Sequence, residues 1–161
     1  MTGDTSRLRG TPEDRLAELG LNVPSVVPPV AAYVPAVRSG SLVFTAGQVP
    51  MRDGELVAAG KVGGEISVDQ ATECAQQCAL NAIAAVKAEI GDLSKVRRVV
   101  KAVVFVASTP DFTGQPGVAN GASELLGTVF GDAGVHARSA VGVASLPLDS
   151  PVEVELVVEV D

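Results

Sequence analysis

VEVELVVEV, Val152 to Val160, alternates apolar and acidic positions with a period of two. Val152, Val154, Leu156, Val158 and Val160 share one face, and Glu153, Glu155 and Glu159 share the other. That pattern describes a strand in a sheet packed on one side and polar on the other. A sheet of this kind needs its cover on a single face, and two helical stretches upstream can supply it.

The first runs from about Val68 to Ile90. SVDQ, Ser67 to Gln70, is a capping box that starts it, and Gly91 ends it. Ala71, Ala75, Cys78, Ala82 and Val86 fall on one helical face, and their small side chains suit a helix lying close to a sheet. The second helix is expected over about Val118 to Phe130, after a stretch broken by Pro110 and Pro116. Between the helices, KVRRVVKAVVFVAS, Lys95 to Ser108, carries charge at its start and then nearly continuous β-branched residues, a strong strand signal. Upstream, residues 31 to 46 read as a hairpin around Ser39-Gly40, with Pro35 confining its first strand to an edge or bulge. Asp53-Gly54 marks another turn. The order ββαβαββ gives an α+β domain, a mixed sheet with two main helices packed on one face.

Composition narrows the function. The chain has 161 residues, and 47% are hydrophobic, mostly Ala and Val, with no Trp, one Tyr and four Phe. The net charge of −7 and pI near 4.7 repel a phosphate backbone, so neither general nucleic-acid binding nor a ribonuclease is favoured. Lys95, Arg97, Arg98 and Lys101 read as a solvated strand rim, since no interleaved aromatics offer bases a stacking surface. Cys74 and Cys78, four apart on the first helix, read as small core residues. With His136 as the only histidine, no metal site or other cofactor is implied. Without an apolar leader or a membrane-length apolar run, the expectation is a cytoplasmic protein with no membrane partner.

Residues 1–30 read as an N-terminal extension to a domain at residues 31–161. Its first ten residues are expected to be loosely attached. A short helix follows in TPEDRLAELG, with Thr11 as cap, Pro12 in the first turn and Gly20 at the end. Pro24, Pro28 and Pro29 then keep the linker extended.

On their own, the residues offer little chemistry. His136 and Ser139 are three apart on a strand and point to opposite faces, so they do not make a Ser–His triad. The glutamates of Val152–Val160 read as solvent-facing. The motifs in sequence carry more. AYVPAVRSGSLVFTAGQVP, the capped helix, VVKAVVFVAS and HARSAVGVASLPLDSPVEVE occur in order from Tyr33 to the end of the chain. Together they resemble the Rid family of reactive intermediate deaminases, also called YjgF.

The resemblance implies a chorismate-mutase-like fold, a homotrimer whose sheets form an inner barrel, and ligand clefts between subunits. It also implies hydrolysis of 2-imino or 2-enamino acids to 2-oxo acids and ammonia. The family's carboxylate-binding arginine falls on Arg138, and its water-handling glutamate on Glu153. Tyr33, Gly47 and Asn120 match further substrate-binding positions, so the expected partner is a small carboxylate-bearing ligand. Three positions depart from the pattern. Ala46 and Ala140 replace small polar residues, and Gly142 replaces a glutamate, so the cleft is expected to be roomier and more apolar. A module of the same fold that binds a small carboxylate without turnover is the alternative reading. His136 is expected to be incidental.

Overall fold

A computed structural model describes residues 9–29 and 31–161. Its elements in chain order are α1 (Pro12–Glu18), β1 (Ala36–Ser39), β2 (Leu42–Thr45), β3 (Met51–Arg52), β4 (Glu55–Leu56), α2 (Val68–Ile90), β5 (Val96–Ala107), α3 (Gln115–Phe130), β6 (Ala137–Val143) and β7 (Val152–Val160). Five strands form one sheet in the order β1-β2-β7-β5-β6, and β3 and β4 make a separate small hairpin. Only the β5–β6 pair is parallel, as its crossover through α3 requires. The fold is the mixed α+β architecture expected from the sequence.

β7 occupies the centre of the sheet, and its alternation decides which side is packed. Val152, Val154, Leu156, Val158 and Val160 are all buried beneath the helices, while Glu153, Glu155, Val157 and Glu159 lie half-buried on the open side. On β5, Val99, Ala102, Val104 and Val106 are buried on the helix side. Val37, Phe44, Val100 and Val141 leave apolar surface exposed on the outer strands and β5.

α2 starts at the expected capping box, in which Ser67 accepts from the Gln70 amide and Gln70 accepts from the Ser67 amide. Cys74 and Cys78 are both free and buried in the core. α3 approaches α2 so closely that a Cβ on Gly121 would stand 2.2 Å from the Thr72 carbonyl oxygen. α3 starts three residues earlier than expected, at Gln115, because Pro116 sits in the first turn, where a missing N–H is harmless.

The turn signals settle as read. Gly40 takes φ +60 between β1 and β2, and Asp53 and Gly54 take φ +54 and +82 between β3 and β4. β1, with Pro35 just before it, is an edge strand. The expectation of a loose start to the chain falls mainly on residues 1–8, outside the described residues. Beyond them, α1 is capped by Thr11 and packed down, with Leu16 fully buried in the common core. Arg15 Nε donates to the Val129 carbonyl at the end of α3 (2.6 Å), and Glu13 pairs with Lys87 of α2 (3.2 Å). No helix is long and apolar enough to cross a membrane among the described residues.

Candidate functional site

β6 is the edge strand beside α3, and Arg138 lies opposite Ala102 of β5 in the parallel register. Ala102 is fully buried on the helix side, so Arg138 projects toward α3. Its Nη1 donates to Asn120 Oδ1 (2.8 Å) and Ser123 Oγ (3.2 Å), and its Nη2 donates to the Pro116 carbonyl (3.4 Å). A guanidinium has five N–H donors. The Nε–H and one Nη2–H meet no acceptor among the described residues. All three acceptors are neutral, so the positive charge is held in place without being cancelled. A carboxylate takes two parallel N–H bonds of this kind. Asn120, expected as a substrate-binding position, accepts from Arg138 in the free protein.

Glu153 and Gly47 form a second group. Gln48 exchanges both backbone hydrogen bonds with Val154 (2.8 and 3.0 Å), which extends β2 past its end alongside β7. That pairing lays Gly47 against Glu153 so tightly that a Cβ there would stand 2.0 Å from Glu153 Oε1. Burial, and secondarily the charge of Glu155, pushes the Glu153 carboxyl above the usual glutamate range.

The two groups do not meet within one chain. Glu153 pairs with Phe105 on the open side of the sheet, while Arg138 stands on the helix side. Tyr33 belongs to neither; it precedes β1, about half exposed at 49%.

Ser123, which the sequence reading passed over, and His136, which it expected to be incidental, lie together beside Arg138. His136 Nε2 lies 2.9 Å from Ser123 Oγ and its Nδ1 lies 2.6 Å from the Gly134 carbonyl oxygen. One signal was available: Ser123 follows Asn120 by three residues, so the two share a helix face. The triad partner considered from sequence, Ser139, takes no part. Gly142 lines a cavity of about 390 Å³ together with Ser108, Phe112 and Gln115. A Cβ there would meet Gln115 Nε2 at 2.8 Å and Ser108 Oγ at 2.9 Å. Gln115 at the start of α3 and Ser108 just past β5 therefore bring an amide and a hydroxyl to the place where a side chain at this position would begin. A larger groove, about 740 Å³, lies elsewhere, between the 20–28 linker and the β3–β4 hairpin. Its buried polar side chains are mutually satisfied: Gln77 Nε2 donates to Asn81 Oδ1, and Asn81 Nδ2 donates to the carbonyls of Val49 and Met51.

Residues 13–160 match the family described as "YjgF/chorismate_mutase-like, putative endoribonuclease". The chain belongs to the YjgF/Rid family. Among its YjgF/Rid relatives, Protein TCP17 of Trypanosoma cruzi is 44% identical over 147 residues, covering 91% of this chain and 92% of the relative. The 2-iminobutanoate/2-iminopropanoate deaminase of Escherichia coli strain K12 is 32% identical over 136 residues, covering 84% and 91%. A crystal structure of the Agrobacterium tumefaciens protein Atu1372, of unknown function, superposes with a TM-score of 0.89. It is 48% identical and covers 93% of this chain and 92% of that one.

Proposed function

We propose that this protein is a 2-imino/2-enamino acid deaminase whose site forms between subunits of a homotrimer. The observation that carries the reading is the guanidinium of Arg138, fixed by three neutral acceptors with two N–H groups unmet. The 32%-identical relative named as a 2-iminobutanoate/2-iminopropanoate deaminase supports the substrate class.

In this reading Arg138 holds the substrate carboxylate and so fixes the position of the adjacent C2. As the oxygen of water attacks C2 of the protonated imine, Glu153 takes one proton from the water and a neutral carbinolamine forms. Glu153 then gives that proton to the nitrogen, the C–N bond breaks to release ammonia, and the carbinolamine hydroxyl closes to the 2-oxo acid as its proton passes to the Glu153 carboxylate and on to solvent. A carboxyl raised above its ordinary range is a better base near neutral pH. Because Arg138 and Glu153 occupy opposite faces of one sheet, a small substrate contacts both only when Glu153 of the partner subunit faces Arg138.

The arrangement has a direct test. Arg138→Ala and Glu153→Gln each abolish hydrolysis of 2-iminobutanoate generated in place by a lyase. Co-refolded at equal amounts, the two variants recover about one quarter of wild-type activity, because random pairing leaves that share of interfaces with both groups intact. No recovery in verified mixed oligomers places both groups in one subunit and sinks the interface site. Wild type no faster than the uncatalysed reaction sinks the deaminase. Retained binding of 2-oxobutanoate would then leave the non-catalytic carboxylate-binding module, a reading that Ala140 in place of a polar residue near Arg138 favours.

A further inference from the structure

The anchor arginine is held by more than Asn120. Ser123 Oγ accepts from Arg138 Nη1 at 3.2 Å and lies 2.9 Å from His136 Nε2, while His136 Nδ1 lies 2.6 Å from the Gly134 carbonyl oxygen. The direction of these bonds follows from chemistry. A carbonyl only accepts, so Nδ1 carries a proton, and in the neutral ring Nε2 is then an acceptor. A hydroxyl has one proton, and Ser123 gives it to Nε2. Its lone pairs are thereby left turned toward Arg138. The chain runs from Arg138 Nη1–H to Ser123 Oγ–H to His136 Nε2, and from His136 Nδ1–H to the Gly134 carbonyl. Every donor in it has one acceptor.

We propose that Ser123 and His136 are positioning residues for Arg138, with His136 fixing the Ser123 hydroxyl as an acceptor and so holding the guanidinium edge-on to its ligand. Two side chains of α3, Asn120 and Ser123, converge on one nitrogen of one arginine, and His136, in the segment entering β6, holds Ser123 from the other side. Asn120 and Ser123 take both hydrogens of Nη1, which stops the guanidinium from turning about its Nε–Cζ bond. The face left for ligand is then always Nε–H with Nη2–H. Without His136 the hydroxyl is free to rotate, and its proton can point at Arg138, where it repels the cation it should receive. Gly134 packs closely on α3, since a Cβ there would stand 2.2 Å from the Leu126 carbonyl oxygen. The far end of the chain therefore rests on backbone packed against the last turns of α3.

The inference rests on Arg138 being the carboxylate anchor, and its test separates the two. The variants are Ser123→Ala, His136→Leu, His136→Gln and His136→Asn, each first shown to melt near wild type. Glutamine reaches as many bonds from Cα as Nε2 and offers an acceptor there; asparagine reaches only to the Nδ1 position. Leucine keeps bulk and offers nothing. Calorimetry with 2-oxobutanoate, the probe for the carboxylate, is expected to show roughly tenfold weaker binding for the Ala, Leu and Asn variants, as loss of a hydrogen bond to a charged group implies. His136→Gln restores affinity to within about threefold of wild type. In turnover the same variants raise KM more than they lower kcat.

Nitrogen NMR of arginine- and histidine-labelled protein without ligand supplies the second arm. His136 is expected as the Nδ1–H tautomer, and Arg138 Nε–Cζ rotation is expected to be slow in wild type and His136→Gln but fast in Ser123→Ala and His136→Leu. Equal rotation rates in all variants, or leucine as good as glutamine in the binding assay, overturns the proposal. If wild type binds no 2-oxobutanoate, the carboxylate reading falls, and the NMR arm alone decides whether the chain orients Arg138.

Discussion

Replacing Gly47 by alanine is the sharpest perturbation of the proposed chemistry. Gly47 lacks the left-handed backbone that excludes side chains, so the main chain admits alanine. The new Cβ, however, would stand 2.0 Å from Glu153 Oε1, 2.8 Å from its Cδ and 3.1 Å from its Cγ. Ordinary contact begins near 3.4 Å, so the oxygen must retreat by roughly 1.4 Å. The carboxylate is the far end of a flexible side chain and can move at little cost in stability. What it loses is its place beside the water. A displacement of about 1 Å can lower a rate about 100-fold, so Gly47→Ala should lower kcat by about two orders of magnitude. KM should change by less than about threefold, since Arg138 holds the carboxylate from a different element. Hydrolysis of 2-iminobutanoate, followed by ammonia release against the uncatalysed background, measures both constants, and thermal melting checks the fold. The double variant with Glu153→Gln should be no slower than Glu153→Gln alone, because both act through one carboxylate. If Gly47→Ala folds normally and keeps kcat within about threefold of wild type, Glu153 is not the group that handles water.

Glu153→Gln should be inactive yet more stable than wild type at neutral pH. A raised carboxyl binds its proton more readily in the folded chain than in the unfolded one, so stability falls as pH rises through the window between the two values. The variant's advantage in urea midpoint should shrink as pH drops into the ordinary glutamate range, and wild-type kcat should fall on the acid side within the same window. Leu16→Ala should cost about 3 kcal/mol in urea unfolding, because the side chain is fully buried between α1 and the rest of the core; a loss under about 1 kcal/mol would mean that α1 is dispensable. Gly121→Ala should cost about 2 kcal/mol or more, since the atom in the way is the Thr72 carbonyl of α2 and backbone cannot swing aside; an unchanged melting temperature would refute that close approach.

The packed side of the sheet was legible because its signals are local. The period-two run at Val152–Val160 fixes which residues face the helices, and the capping box at Ser67–Gln70 fixes where α2 begins. Boundaries that depend on a single proline were less legible, as Pro116 in the first turn of α3 shows. Arg138, Asn120, Gly47 and Glu153 were readable only through the order of motifs. Periodicity alone assigned Glu153 to solvent, because it cannot see that the Gln48–Val154 pairing brings Gly47 over the carboxylate. His136 was hard to place for a similar reason. Its partner lies 13 residues away on α3, and strand alternation tests only neighbours on the same strand. Gly142 was read as a loss, whereas tertiary packing had supplied Gln115 and Ser108 to the same place.

Among the described arginines whose guanidinium is held by hydrogen bonds, Arg138 is the one that keeps its Nε–H free. Arg52 bonds Gln77 through Nε and Glu73 through both terminal nitrogens, and Arg97 Nε pairs with the Asp161 carboxylate. Arg15 binds only carbonyl oxygens, and Arg38 binds the Gly40 carbonyl and the main-chain oxygen of Asp161, yet in each of them Nε is occupied, by Val129 and Gly40. Neutral partners therefore do not by themselves distinguish a binding arginine from a structural one. The distinction lies in which edge is used. In these four, Nε–H is part of the protein's own bonding, so the Nε–Nη2 edge cannot take a carboxylate without breaking a bond. Arg138 is restrained through Nη1 and one hydrogen of Nη2, and its Nε–H meets no acceptor among the described residues. Its rigidity comes from the edge that a ligand does not need. An arginine that merely braced β6 against α3 would gain by bonding through Nε as well, and the open edge is what a carboxylate anchor requires.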